Sequence, residues 1–286
     1  MIGTVLLALL ASACWGTADF TSGLKARTVP LSTVLLLGQG MGLVLAGVVV
    51  VASGQPVPAS GPALASLGAG LGVIGGLACF YRALATGTMS IVAPIAATGV
   101  VIPVVVGILG GNHLATVQVV GMFVAVGGVI LAARQSGGGD ASVSQAEARS
   151  HRETVGLALV AAVAFGSYFL LAHIGARGGV AWLLLLGHVA TVLGVVGFVA
   201  LAAIRPRLPA RRDLGVLALA GALDFAATAL YGVANRKGEL AIVAVAGSLY
   251  PVTTVLLARA ILRERFVGLQ ALGVGLALAG VALIAA

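Results

Sequence analysis

The second half of this chain rereads its first. Thr4-Val-Leu-Leu-Ala-Leu-Leu-Ala-Ser-Ala-Cys-Trp-Gly16 matches Thr154-Val-Gly-Leu-Ala-Leu-Val-Ala-Ala-Val-Ala-Phe-Gly166 at seven of thirteen positions, 150 residues apart. Gln118, Gly121, Ala125, Gly128, Val129, Leu131 and Ala133 recur as Gln270, Gly273, Ala277, Gly280, Val281, Leu283 and Ala285, 152 apart. So steady a spacing means that one unit was duplicated whole. The fold must therefore be one that the same pattern can form twice.

The solvent for that fold is lipid. Hydrophobic residues make up 60% of the chain and charged ones only 8%, against roughly 25% charged residues in soluble domains. Apolar runs cover residues 2–23, 29–52, 63–85, 90–110, 114–133, 154–175, 181–204, 214–234, 240–259 and 266–285. Each is near the about 20 residues that a helix needs to cross a hydrocarbon core. The sequence thus predicts an all-α integral membrane protein with ten transmembrane helices. Its polar stretch rich in Gly, Ser and charge reads as a flexible linker over residues 136–153, between a five-helix unit at 1–135 and a second at 154–286. Five is odd, so the second unit enters the membrane from the opposite face. The result is a pair of inverted repeats, a symmetry that points toward transporters.

Charge and cysteine narrow the function further. The net charge of +8 comes from sixteen Lys and Arg residues that sit mostly in loops and at helix ends, so it reports membrane topology rather than nucleic-acid binding. Lys25, Arg27, Arg134, Arg149, Arg152, Arg205, Arg207, Arg211, Arg212, Arg259, Arg263 and Arg265 follow odd-numbered spans, whereas Arg177, Arg236 and Lys237 follow even-numbered ones. By the positive-inside rule the odd loops are cytoplasmic and both termini lie outside. Cys14 and Cys79 have no metal-ligand spacing and read as small buried hydrophobes. The first span lacks a basic leader and has an internal counterpart at 154–166, so it reads as a retained span. The sequence has no His-Glu-x-x-His, Cys-x-x-Cys, phosphate loop or Gly-x-Ser-x-Gly, so neither an enzyme, a metal nor a cofactor is expected. Gly70-Leu-Gly72-Val-Ile-Gly75 fits a dinucleotide fingerprint only formally, since it lies inside an apolar helix with no strand before it. Glycines spaced by four, such as Gly68, Gly72 and Gly76 or Gly38 and Gly42, read instead as ridges for close helix packing.

Candidate chemistry lies in polar groups at membrane depth. Asp224 falls near the middle of the eighth span, where a charge costs about 2.5–3.5 kcal/mol on insertion scales. It either binds a proton or a cationic solute group in a cavity, or glues two helices. Asp19 and Arg82 lie at similar depth in parallel spans and either pair or act separately, Asp19 in a cavity and Arg82 by snorkelling to the interface. Trp15, Tyr81, Tyr168, Tyr231 and Tyr250 are aromatics with polar tips that either line a solute path or pack. His173 and His188 are either proton relays or helix–helix hydrogen bonders. Pro94, Pro103 and Pro251 interrupt spans four and nine, the corresponding helices of the two units, and make Thr98, Gly99, Gly247 and Ser248 candidate lining residues.

Trp15-Gly-Thr-Ala-Asp-Phe20, Tyr81-Arg-Ala-Leu with Ser90-Ile-Val-Ala-Pro94, and Ser248-Leu-Tyr-Pro-Val-Thr253 before Arg263-Glu-Arg265 resemble an EamA-type member of the drug/metabolite transporter superfamily. The resemblance spans essentially the whole chain. It implies a ten-helix basket with a central cavity bordered by spans such as 1, 3, 4, 6, 8 and 9. It further implies a secondary transporter, most often an exporter, of amino acids, other metabolites or drugs across the inner membrane. The partners expected are a small solute, protons and membrane lipid, for a chain that works as a monomer. The alternatives are a non-transporting scaffold subunit and a flippase for a lipid-linked solute. The family's Gly-Glu-Arg after both span 4 and span 9 is kept here at Glu264 and replaced by Asn112-His113 in the first unit. Its members usually keep both termini cytoplasmic, opposite to the charge count, and a compartment-specific reporter fused to Ala286 separates the two orientations.

Overall fold

A computed structural model describes residues 2–110, 115–133, 145–201, 209–238, 240–263 and 269–285. Its helices, numbered by span, are α1 (Ile2–Lys25), α2 (Leu31–Ser53), α3 (Ser60–Thr86), α4a (Met89–Ala97) joined by the 3-10 turn Thr98–Val100 to α4b (Val101–Leu109), and α5 (Thr116–Ala133). The second half gives α6 (Gln145–Ala176), α7 (Val180–Leu201), α8 (Arg211–Asn235), α9a (Leu240–Gly247), α9b (Tyr250–Ile261) and α10 (Leu269–Ala285). Among the described residues no strand occurs, and eight segments are long and apolar enough to cross a membrane, those of α4 and α9 counted across their breaks. Leu10, Val48, Leu64, Phe123, Phe198 and Leu219 are each more than half exposed. A soluble monomer rarely carries so many apolar side chains outward, whereas lipid accepts them.

The halves interlock rather than sit side by side. Helix α1 packs on α8 as α6 packs on α3, α2 on α8 as α7 on α3, and α1 on α9a and α9b as α6 on α4a and α4b, while α5 pairs with α10 and α2 with α7. Adding five to each helix number carries this contact pattern onto itself. Glycine makes the crossings close. A methyl at Gly221 of α8 would overlap the Gly38 carbonyl of α2, and one at Gly70 of α3 would overlap the Gly187 carbonyl of α7. Likewise Gly16 of α1 lies against the Tyr250 carbonyl, and Gly166 of α6 against that of Gly99. Gly16 and Gly166 close the repeated thirteen-residue stretch, so the repeat marks the helix crossings. Without a hydrophobic force between helices in lipid, such backbone approach is a main source of association.

Spans four and nine break where the prolines direct. Pro103 and Pro251 lack the N–H that would bond the carbonyl four residues back, so Gly99 and Gly247 each lose a helical partner. The chain turns at Thr98–Val100 in one half and between Gly247 and Tyr250 in the other. Thr98 donates its hydroxyl to the Ile95 carbonyl at 2.7 Å, and Ser248 donates to that of Val245 at 2.8 Å. The break and its cap are thus the same device twice. Pro94 stays inside α4a without ending it.

The expected linker needs correcting at its end. Gln145–Glu153 is helical, part of α6, because Gln-Ala-Glu-Ala-Arg are strong helix formers that extend the span beyond its apolar run. Residues 136–144, like Asn112, His113 and Glu264, lie outside the described residues. At the same end of the bundle Lys25 of α1 meets Asp213 of α8 at 2.6 Å, joining the two halves.

Candidate functional site

Between the halves lies a narrow cavity of about 60 Å³, room for a few water-sized groups. Its wall follows the repeat. Trp15 and Phe165 occupy equivalent places on α1 and α6, as do Asp19 and Phe169, and all four line it. Gln39 of α2 and His188 of α7 form a third such pair. The spacing that carries Gly70 to Gly221 carries Val73 to Asp224 and Leu77 to Thr228, and these four also line the cavity. The frame is symmetric. Its polar chemistry is not, for an aspartate on one side faces a phenylalanine or valine on the other.

Asp224 is the centre of the polar set. Gln39 donates Nε2–H to its Oδ2 at 3.1 Å, and His188 Nε2 stands 4.0 Å from the same oxygen. Asp19 is 5% exposed and accepts the Tyr81 hydroxyl at 3.2 Å. Of the two readings of Asp19 and Arg82, the ion pair is not formed. Arg82 is one residue further round α3, on its exposed face, so its neighbour Tyr81 reaches the carboxylate instead. Aromatic rings build the rest of the wall. Trp15 meets Tyr168 and Phe169 edge-on at 6.0 and 5.9 Å, and Tyr231 packs behind them at 5.3 Å from Trp15, fully buried and outside the cavity. The hydroxyls of Tyr168, Tyr231 and Tyr250 have no hydrogen-bond partner among the described residues. Buried polar atoms rarely stay so.

The spans that border the cavity differ from the expectation. Helices α2 and α7 contribute Gln39, His188 and Thr191, while α4 contributes none of the lining. Thr98 and Ser248 also stay out, since each bonds its own backbone at a helix break. Pro94, Pro103 and Pro251 shape the helices behind the wall, and α9 reaches the cavity through Tyr250 alone. Gln39 went unnoticed in the sequence although its glutamine stands in an apolar run. Its place opposite His188 in the repeat was the signal that would have found it.

The two span histidines separate by geometry. His173 Nδ1 lies 2.9 Å from Asn235 Oδ1, and Arg177 approaches its Nε2 at 3.4 Å. The Asn235 amide is donated to the Tyr231 carbonyl, which leaves its oxygen to accept from His173. His173 is tied at both nitrogens and joins α6 to α8. His188 has one nitrogen free in the cavity.

Comparison with known proteins agrees with this architecture. The model of the EamA-like transporter family matches residues 153–286. A solved crystal structure, titled only as that of a protein, aligns with a TM-score of 0.66 at 20% identity, covering 98% of this chain and 95% of the other. At that identity the likeness concerns the fold alone. No curated protein matches the sequence.

Proposed function

We propose, from the match of residues 153–286 to the model of the EamA-like transporter family, that the whole chain is a secondary transporter of the inner membrane. It moves small organic solutes, in the direction of export, by alternating access between two inverted five-helix repeats of ten spans in all. The observation that carries this reading is the cavity between the halves, onto which Asp19, Asp224 and three polar-tipped aromatics converge. A scaffold would have such groups paired in a dry core, whereas Tyr168, Tyr250 and His188 keep polar atoms without a partner. The crossings that repeat between halves support a rocking motion, since each half packs on the other through equivalent surfaces. The sequence holds no phosphate loop, so the cycle is not read as driven by nucleotide bound to this chain.

Proteoliposomes test this. Vesicles containing the full chain, preloaded with pools of amino acids, amines and amphipathic drugs, are expected to take up one labelled pool by counterflow well above protein-free vesicles. Equal signals from the two kinds of vesicle for every pool would contradict the proposal.

A further inference from the structure

The cavity has the charge pattern of a cation site. Two carboxylates, Asp19 and Asp224, line it together with Trp15, Phe165, Tyr168 and Tyr250, and no lysine or arginine is among the lining residues described. Aromatic faces and carboxylates suit one ligand feature, a desolvated organic ammonium. Within this wall His188 is placed unusually. Its Nδ1 lies 2.8 Å from the Leu184 carbonyl, which can only accept, so Nδ1 carries the proton. On a neutral ring, Nε2 then presents a lone pair. That lone pair faces Asp224 Oδ2 at 4.0 Å, has no hydrogen-bond partner among the described residues, and belongs to a side chain only 5% exposed. Two acceptors stand opposed, Oδ2 taking a hydrogen bond from Gln39 and Nε2 taking none among the described residues. Gly42 permits the arrangement, since a methyl there would overlap Nε2.

We propose that the cavity binds a monovalent organic ammonium against Asp224, and that His188 controls this binding by its own charge. Neutral His188 leaves the carboxylate to the ligand. Protonated His188 turns its Nε2–H to the carboxylate, and the added positive charge refuses the ligand. The proton comes from water at the cavity mouth onto the Nε2 lone pair and returns there, and no bond of the ligand changes. The other titratable groups facing the ring across the cavity are Asp19 of α1, Tyr168 of α6 and Tyr250 of α9b, while α2 and α3 present the uncharged Gln39 and Gly70. This inference rests on reading the cavity as the solute site, and names the class of solute.

Choline is a suitable probe because its quaternary charge cannot titrate, with its uncharged isostere dimethylbutanol as control. The purified full chain is expected to bind choline about tenfold or more tightly than the isostere at about pH 8. That advantage is expected to be lost at about pH 5. In His188→Gln the ratio of choline affinity at about pH 8 to that at about pH 5 is expected to shrink to a small fraction of the parent's, whatever the variant's absolute affinity. Gly42→Ala, which displaces the imidazole, is the second variant should His188→Gln not fold, and it should blunt the pH dependence in the same way. Equal binding of choline and isostere at about pH 8, no choline binding, or full pH dependence retained in the variant that folds would each overturn the inference. Binding is read without vesicles, so the two readings fail separately. A chain that binds choline in this manner yet moves no solute contradicts transport alone, and one that carries neutral or anionic solutes while ignoring choline contradicts this inference alone.

Discussion

Asp224→Asn is expected to remove solute uptake while leaving the protein at least as stable as the parent. The amide keeps the shape of the side chain and a neighbour for Gln39, 3.1 Å away in the parent, but not the charge. Losing the charged partner of a buried pair typically costs about 2–5 kcal/mol, which is roughly 30-fold to several thousandfold in affinity. Folding moves the other way, because a neutral group at membrane depth avoids the about 2.5–3.5 kcal/mol insertion cost of a carboxylate. Uptake at low solute concentration and thermal unfolding of the same sample in detergent read the two effects. A variant that transports normally but unfolds earlier would assign Asp224 to helix association.

The second large effect is structural. Gly221→Leu is expected to prevent the chain from reaching its folded state, because the new side chain would have to enter the Gly38 backbone of α2. Overpacking a core costs about 1–3 kcal/mol when side chains can give way, and here the obstacle is backbone. Gly70→Leu should behave alike, as its equivalent at the α3–α7 crossing. Gly215→Leu on the same helix α8 is the control, since nothing lies within 4 Å of a methyl there. The yield of monodisperse protein in size-exclusion chromatography separates them, with the control at the parent level and the two crossing variants lost.

The frame was legible in the sequence because duplication and hydropathy act over whole helices. Gly16 and Gly166 already stood in the repeated stretch, and Pro103 and Pro251 marked where spans four and nine break, whereas Pro94 did not end its helix. Helix ends were less legible, as at Gln145–Glu153, where polar helix formers carry α6 past its apolar run. The site was read only in part. Asp224, Asp19, Trp15 and Tyr168 drew notice as polar groups in apolar spans, and all four line the cavity. Thr98 and Ser248 were placed there by their nearness to a break, but a hydroxyl beside a broken helix turn is taken first by its own backbone. Arg82 and Tyr81 are adjacent in sequence but only Tyr81 is buried, a distinction of about 100° round the helix that depth alone does not resolve. Gln39 and His188 needed the two halves to be superimposed before their shared aim at Asp224 became visible.

The central claim is that one cavity, set between symmetric halves, opens to each side of the membrane in turn. Thr228 lines that cavity on α8. Thr228→Cys, introduced after Cys14→Ser and Cys79→Ser, should react with a membrane-impermeant thiol reagent applied to either face of oriented vesicles. Reaction from both faces, slowed from both by a bound solute, is the result this account predicts. Reaction from one face only, or from neither, would contradict it.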